Sequence, residues 1–254
     1  MRRVVFNQKG GVGKSSLAVN LAAIAARRGR RTLLVDLDAQ ANATRYLLGD
    51  AAPEQTVADF FAQFLAFRLT ASPVGDVAVE TGLENLRLVP GSPDLADLRS
   101  RLEAKHKIYK LRDTLAALDD ADEVFIDTPP ALGFFALSAL IAADAVLIPF
   151  DCDEFARQAL YRTLEAVEEV RADHNPALRV EGIVVNQFQT QAGLPHRLVR
   201  ELRAEGLPLL ETIVPASVKM RESHQARRPV VDLAPRHALA RALEALADEI
   251  GLGR

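Results

Sequence analysis

Lys9, Gly10, Gly11, Val12, Gly13, Lys14 and Ser15 form the most chemically specific stretch of the chain. Glycines at three of four consecutive positions let a backbone turn tightly and aim successive N–H groups inward, which makes a nest for an anion. A helix opening directly after such a turn adds its positive N-terminal end. A lysine at position 14 can reach the outer phosphates of a nucleotide, and a hydroxyl at position 15 can ligate Mg²⁺. The general spacing is G-x-x-x-x-G-K-[ST], with Gln8 standing where the opening glycine would be. Residues 10–16, Ser16 included, are the expected contacts to a nucleotide.

Acids follow at spacings that suit the same ligand. Leu33, Leu34 and Val35 lead to Asp36, and Asp38 comes two residues later. Alternation along a strand puts the two carboxylates on one side, and the C-terminal end of a strand in an α/β sheet faces the ligand crevice. Val124, Phe125 and Ile126 lead in the same way to Asp127, a position suited to holding Mg²⁺ directly or through water. Taken singly, each of these acids could simply cap a strand or start a turn. The Gly-rich loop gives them a shared purpose. Asn186, closing the run Ile183–Val185, suits a ligand contact or a turn equally well.

Those loops need strands to hold them. Apolar runs at Val4–Phe6, Thr32–Val35, Leu86–Val89, Glu123–Ile126, Ala145–Pro149 and Ile183–Val185 read as strands buried on both faces. Helices are expected at Ser15–Arg28, Ser92–Leu102, Ile108–Leu118, Gln158–Ala172, His196–Glu205 and Leu239–Ile250. Such alternation predicts an α/β fold with a largely parallel twisted sheet and helices on both faces. With the Gly-rich loop at its start, a single-domain P-loop NTPase spanning residues 1–254 is expected. Residues 50–85 are the least regular. Phe60, Phe61, Phe64 and Phe67 there read as a short helix packing its aromatic side on the core, with a partner-binding or dimer surface as the alternative.

Composition narrows the classes. The 254 residues include 49% hydrophobic and 26% charged side chains, enough for a substantial core. Cys152 is the one cysteine, which excludes an intrachain disulfide and a Cys-rich metal site built from one chain. No apolar run reaches the length of a transmembrane helix, and the chain enters its first strand without the pattern of a signal peptide. A cytoplasmic protein is expected.

The loop with lysine at its head, Lys9, resembles the deviant phosphate loop of the ParA family within the ParA/MinD superfamily. The likeness extends over nearly the whole chain. It takes in Asp36–Thr44, Asp127–Pro130, Leu147–Pro149 with Glu154–Ala156, and Ile213–Pro215 with Arg221–Ser223. It implies an ATPase that uses ATP and Mg²⁺, slow unless stimulated. Ser15, Asp36 and Asp127 would serve the metal. Lys9 would reach the nucleotide of a second subunit, Lys14 would hold phosphates, and Asp38 would orient the attacking water. Asn186 and Pro215 would line the base. Departures from the family pattern are Ala39 and Ala41, where Pro and Gly are usual, and Ala216, where many relatives carry Arg.

The resemblance also implies a homodimer formed on ATP that binds nonspecific double-stranded DNA on the nucleoid. A ParB-like or cargo-bound protein would stimulate hydrolysis, and a plasmid, chromosome or protein cluster would be the cargo. With the loop starting by residue 9, no N-terminal DNA-reading domain is expected. Between His196 and Arg241 there are nine Lys/Arg against five acids, in a chain of net charge −3. That basic stretch suits phosphate-backbone contacts, and the DNA candidates are Arg197, Arg200, Arg203, Lys219, Arg221, Arg227 and Arg228. An ordinary solvated helix face would look the same. A MinD-like membrane switch is the runner-up, opposed by Glu244, Asp248 and Glu249 in the last helix. A metabolic ATP-dependent ligase would share the loop but not the Asp36–Thr44 pattern. A nitrogenase-type electron donor is excluded by the single cysteine.

Overall fold

The period-two alternation of apolar side chains divides every central strand between two cores. Val4 and Phe6, Leu33 and Val35, Val124 and Ile126, Val146 and Ile148, and Ile183 and Val185 face one side of the sheet. Val5, Leu34, Phe125, Leu147 and Val184 face the other. All fifteen of these side chains are buried, which is why the strands read as unbroken apolar runs.

The structure, a computed structural model, describes residues 1–66 and 71–253. Eight strands lie among them: β1 (Arg2–Val5), β2 (Thr32–Asp36), β3 (Val79–Glu80), β4 (Leu86–Val89), β5 (Glu123–Asp127), β6 (Ala145–Phe150), β7 (Arg179–Phe188) and β8 (Leu209–Pro215). They form one sheet in the order β3-β4-β2-β5-β1-β6-β7-β8. Every pairing is parallel except β3 with β4 at one edge. The register aligns Val5 with Asp127 and Asp36 with Asp127, so the Gly-rich loop and two of the acids leave the sheet side by side at the C-terminal ends of central strands.

Eleven α-helices are described: α1 (Lys14–Arg27), α2 (Asn42–Leu48), α3 (Val57–Ala62), α4 (Leu95–Ala104), α5 (Lys110–Ala116), α6 (Phe134–Ala142), α7 (Glu154–Asp173), α8 (Gly193–Ala204), α9 (Val218–Gln225), α10 (Val230–Leu233) and α11 (Ala238–Glu249). Helices α1, α2, α10 and α11 contribute to one core, and α3 to α8 to the other. Leu239, Leu243 and Leu246 of α11 are buried, so its apolar face is covered by the body of the protein. Beneath the sheet, Arg3 is 2% exposed. It pairs with Glu123 and Glu181 and donates to the Ile250 carbonyl at 2.9 Å, fastening the end of α11 to β1.

Several boundaries differ from the sequence reading. α7 begins at Glu154 rather than Gln158, because the Asp153 carboxylate caps it by accepting from the Ala156 N–H at 2.6 Å. α4 begins at Leu95 rather than Ser92, after a turn containing Pro93. Elements absent from that reading are α2, α6, α9, α10 and the edge strands β3 and β8. Phe60 and Phe61 are buried, and Phe61 stacks edge-on against Phe134 and Phe135 at 5.7 and 5.2 Å. Phe64 packs partly buried against Phe60. For these three the core-packing alternative is the one observed, while Phe67 lies outside the described residues.

Candidate active site

Gly13 sets the entry to α1. Its φ of 88° lies in the left-handed region, and a Cβ there would come 2.5 Å from the Asn186 Nδ2. No side chain caps α1, whereas α3, α7 and α9 are capped by Thr56, Asp153 and Ser217. The first N–H groups of α1 are therefore left to whatever occupies the turn. Two carboxamides from the end of β7 hold the loop from behind. Asn186 Nδ2 donates to the Val12 carbonyl at 2.8 Å, and Gln187 Nε2 donates to the Gly11 carbonyl at 2.7 Å. With those carbonyls fixed outward, the loop keeps its N–H groups inward. Asn7 and Thr163 anchor its start, through Lys9 N–H to Asn7 Oδ1 at 2.8 Å and Gln8 N–H to Thr163 Oγ1 at 3.1 Å.

A cavity of about 1040 Å³ opens over this turn. Among the expected site residues, Gly10, Gly11, Gly13, Lys14, Ser15, Ser16, Asp38, Asn186, Pro215 and Arg221 line it. Val12 is buried, and its carbonyl is held by Asn186. Asp36 and Asp127 are also fully buried, paired across β2 and β5.

Asp36 has both oxygens engaged. Oδ1 accepts from the Asp38 N–H at 3.1 Å, and Oδ2 accepts from Thr44 N–H and Oγ1 at 2.9 and 2.7 Å. It thereby fixes the turn that presents Asp38 and the start of α2, and Thr44 in turn accepts from the Gly91 N–H at 2.8 Å. Asp127 differs: its Oδ2 is buried and has no partner, while Oδ1 accepts from the Thr128 N–H at 3.0 Å.

The electrostatics follow from burial. Desolvation, then the charge of Asp36, push Asp127 well above the ordinary carboxylate range. Desolvation raises Asp36 to about 6 against its hydrogen bonds to Thr44 and Asp38. Lys14, 7% exposed, is lowered by desolvation, which outweighs Asp127 and Asp38. Its ammonium donates to the Lys9 carbonyl at 3.1 Å. Lys9 reaches the other way, to Asp151 at 2.7 Å and to Asp153. Burial lowers the pKa of Lys9, but these two carboxylates outweigh it and leave the ammonium raised.

Comparison with known proteins agrees with this geometry. An AAA domain model matches residues 3–180. The chromosome partitioning protein ParA of Myxococcus xanthus is 36% identical over 230 residues, covering 89% of this chain and 79% of that protein. The sporulation initiation inhibitor protein Soj of Bacillus subtilis is 32% identical, over 97% and 96%. The chain belongs to the ParA family of ATPases. Among solved structures, cobyrinic acid a,c-diamide synthase from Mycobacterium smegmatis with an ATP analogue and magnesium is similar at TM-score 0.82 and 27% identity. That match covers 97% of this chain and 92% of that one.

The ParA-family site fits ATP and Mg²⁺ on its own evidence. Three buried carboxylates face one buried lysine, Lys14, an imbalance that a divalent cation relieves. The orphaned Asp127 Oδ2 and the adjacent Ser15 hydroxyl supply suitable oxygens. No cluster of three or more His, Cys, Asp or Glu with metal-holding geometry occurs among the described residues. Mg²⁺ is commonly held in this way, with few protein ligands and with phosphate oxygens completing its shell.

The expected DNA candidates are dispersed in their roles. Arg197, Arg203, Lys219 and Arg227 pair with Glu201, Glu211, Glu222 and Asp50. Arg228 donates to the Asp232 carbonyl at 3.3 Å, and Arg200 is exposed on α8. Gln187, Asn20, Tyr46 and His224 were not foreseen. Each acts through a partner that is distant in sequence, so no local motif marks it.

Proposed function

We propose that this ParA-family ATPase is a dimerisation switch that binds DNA without sequence preference when loaded with ATP, and positions cargo over it. The observation that carries the reading is one cavity holding the nest, Lys14 and Asp38, with a second lysine, Lys9, next to the lining residue Gly10 but turned away to Asp151 and Asp153. A cation poised outside its own site is suited to another subunit's phosphates.

Within the subunit, the N–H groups of the turn and Lys14 would bind the outer phosphates, and Ser15 and Asp127 would hold Mg²⁺. When bound, the metal neutralises phosphate charge. Asp36 fixes the loop, and Asp38 orients water for attack. Asn186 braces the turn while lining the base side with Pro215. The exposed cations of α8 and α9 meet the DNA backbone, and a partner protein on the cargo stimulates hydrolysis. The buried apolar face of α11 favours DNA over a lipid surface. No described helix is long and apolar enough to cross a membrane.

Likeness to a synthase supports a second reading, ATP-dependent ligation. Two measurements separate the readings. Asp38→Ala with ATP and Mg²⁺ is expected to run as a dimer in light scattering and to bind arbitrary duplex DNA, with affinity falling steeply as salt rises. Wild-type protein is expected to release phosphate without an organic acceptor. A monomer that binds no DNA in any nucleotide state refutes the switch, and acceptor-dependent phosphate release favours the ligase.

A further inference from the structure

Helix α9 brings to the cavity a histidine that no motif singles out. His224 sits in the last turn of α9, with Nε2 3.0 Å from the Ser16 hydroxyl and its ring edge-on to Tyr46 at 4.4 Å between centroids. A network independent of the imidazole nitrogens holds the helix there. The Tyr46 hydroxyl and Ser223 Oγ are 2.6 Å apart, and Ser223 donates to the Met220 carbonyl at 2.7 Å. Asn20 donates to Tyr46 at 3.2 Å and to the Ser16 carbonyl at 2.8 Å, and accepts from the Val230 N–H at 2.8 Å. Four segments, α1, α2, α9 and the start of α10, are thus tied together around the ring.

The position of Ser16 gives the histidine a purpose. Lys14 and Asp38 mark the end of the cavity that takes the terminal phosphate. Ser16 lies two residues further into α1, at the last turn position whose N–H is not taken by the helix, since Leu17 N–H already bonds the Gly13 carbonyl. With the outer phosphates on Lys14, the phosphate joined to the sugar falls beside Ser16. We infer that His224 is a nucleotide-binding residue: with the Ser16 hydroxyl, its Nε2 contacts the sugar-linked phosphate and sets how tightly the diphosphate product is retained. This rests on a nucleotide occupying the nest.

The ring's surroundings make the contact sensitive to pH. Burial lowers the His224 pKa from its ordinary value. Charged and titratable groups on the surrounding elements are Lys14 on α1, Arg45 and Tyr46 on α2, and Lys219, Arg221 and Glu222 on α9. Beyond α9 come Arg227 with Asp50, then Arg228 and Asp232. A phosphate oxygen at Nε2 favours the imidazolium, so the bound state holds more protons than the free one. Affinity therefore rises as pH falls toward the pKa of the free imidazole.

The test is ADP binding to the full chain with Mg²⁺, by calorimetry from about pH 6 to about pH 8. His224→Phe keeps a ring against Tyr46 and removes Nε2. His224→Gln keeps a neutral donor. The nucleotide's own phosphate titrates in this range, so the readout is the difference in slope between wild type and variant. Wild type is expected to gain several-fold more affinity than either variant across this span, with about tenfold as the ceiling for a rise of one pKa unit on binding. His224→Phe without nucleotide is expected to melt close to wild type. Equal slopes in wild type and His224→Gln overturn the inference even if His224→Phe fails to fold. Absence of ADP binding to wild type at every pH overturns the nucleotide reading itself.

Discussion

Gly13→Ala tests the link between backbone conformation and ligand binding most directly. The left-handed φ of 88° costs a non-glycine residue about 1–2 kcal/mol. The added methyl would lie 2.5 Å from Asn186 Nδ2, so the carboxamide must leave the Val12 carbonyl. Losing that buried hydrogen bond adds about 1–3 kcal/mol, giving about 2–5 kcal/mol in all. Urea unfolding without nucleotide measures this loss, and fluorescent ATP titration reports the accompanying fall in affinity. Asn186→Ala made alone and together with Gly13→Ala completes a double-mutant cycle. The double variant should lose about 1–3 kcal/mol less than the sum of the singles, because the clash and the broken hydrogen bond are one event. Additivity within about 0.5 kcal/mol would refute the reasoning.

Lys14→Ala should weaken ATP binding by roughly 30-fold or more, since it leaves phosphate charge unpaired at a buried site; unchanged affinity by calorimetry contradicts its assignment. Lys9→Ala should keep most nucleotide binding yet lose partner-stimulated turnover, and normal stimulated phosphate release would remove the cross-subunit role. Arg3→Met should cost about 3–5 kcal/mol in urea unfolding, because Glu123 and Glu181 lose the cation between them; a change under about 1 kcal/mol would count against that triad. Hydrogen bonds from Arg31 hold Asp122 down to about 2. Its contribution to stability is fully present above the ordinary carboxylate value and is lost as pH falls through about 2. Asp122→Asn should therefore flatten the acid limb of the stability profile, and an unchanged limb speaks against it.

The fold was legible where local pattern and tertiary environment agree. β1, β2, β5 and β6 are apolar on successive residues because both faces are covered, and their terminal acids stand out against those runs. β8 escaped notice because it is an edge strand with Glu211 and Thr212 interrupting the pattern. α6 escaped because Phe134–Ala142 is apolar all round and carries little helical period. α2 opens at Asn42 directly after Ala41, a left-handed residue with no capping side chain to announce the helix.

The phosphate turn was readable because its function requires glycines in series. Asn186 was readable as a site residue, but its grip on Val12 spans 174 positions. His224 and Ser16 are 208 apart. Such pairs exist only once the sheet order has been set.

The two carboxamides behind the turn have a consequence for how the site can discriminate. A loop whose outward carbonyls are already held gives up little conformational freedom when phosphate arrives. Tight capture is then inexpensive in entropy for any ligand bearing a phosphate chain, diphosphate and triphosphate alike. On the proposed reading, recognition of the last phosphate falls to the segments that surround the turn: the Asp38–Asn42 stretch, the Pro130 loop, and Lys9 with its two carboxylates. The turn works as a fixed grip, and the difference between the loaded and spent nucleotide is read by its neighbours.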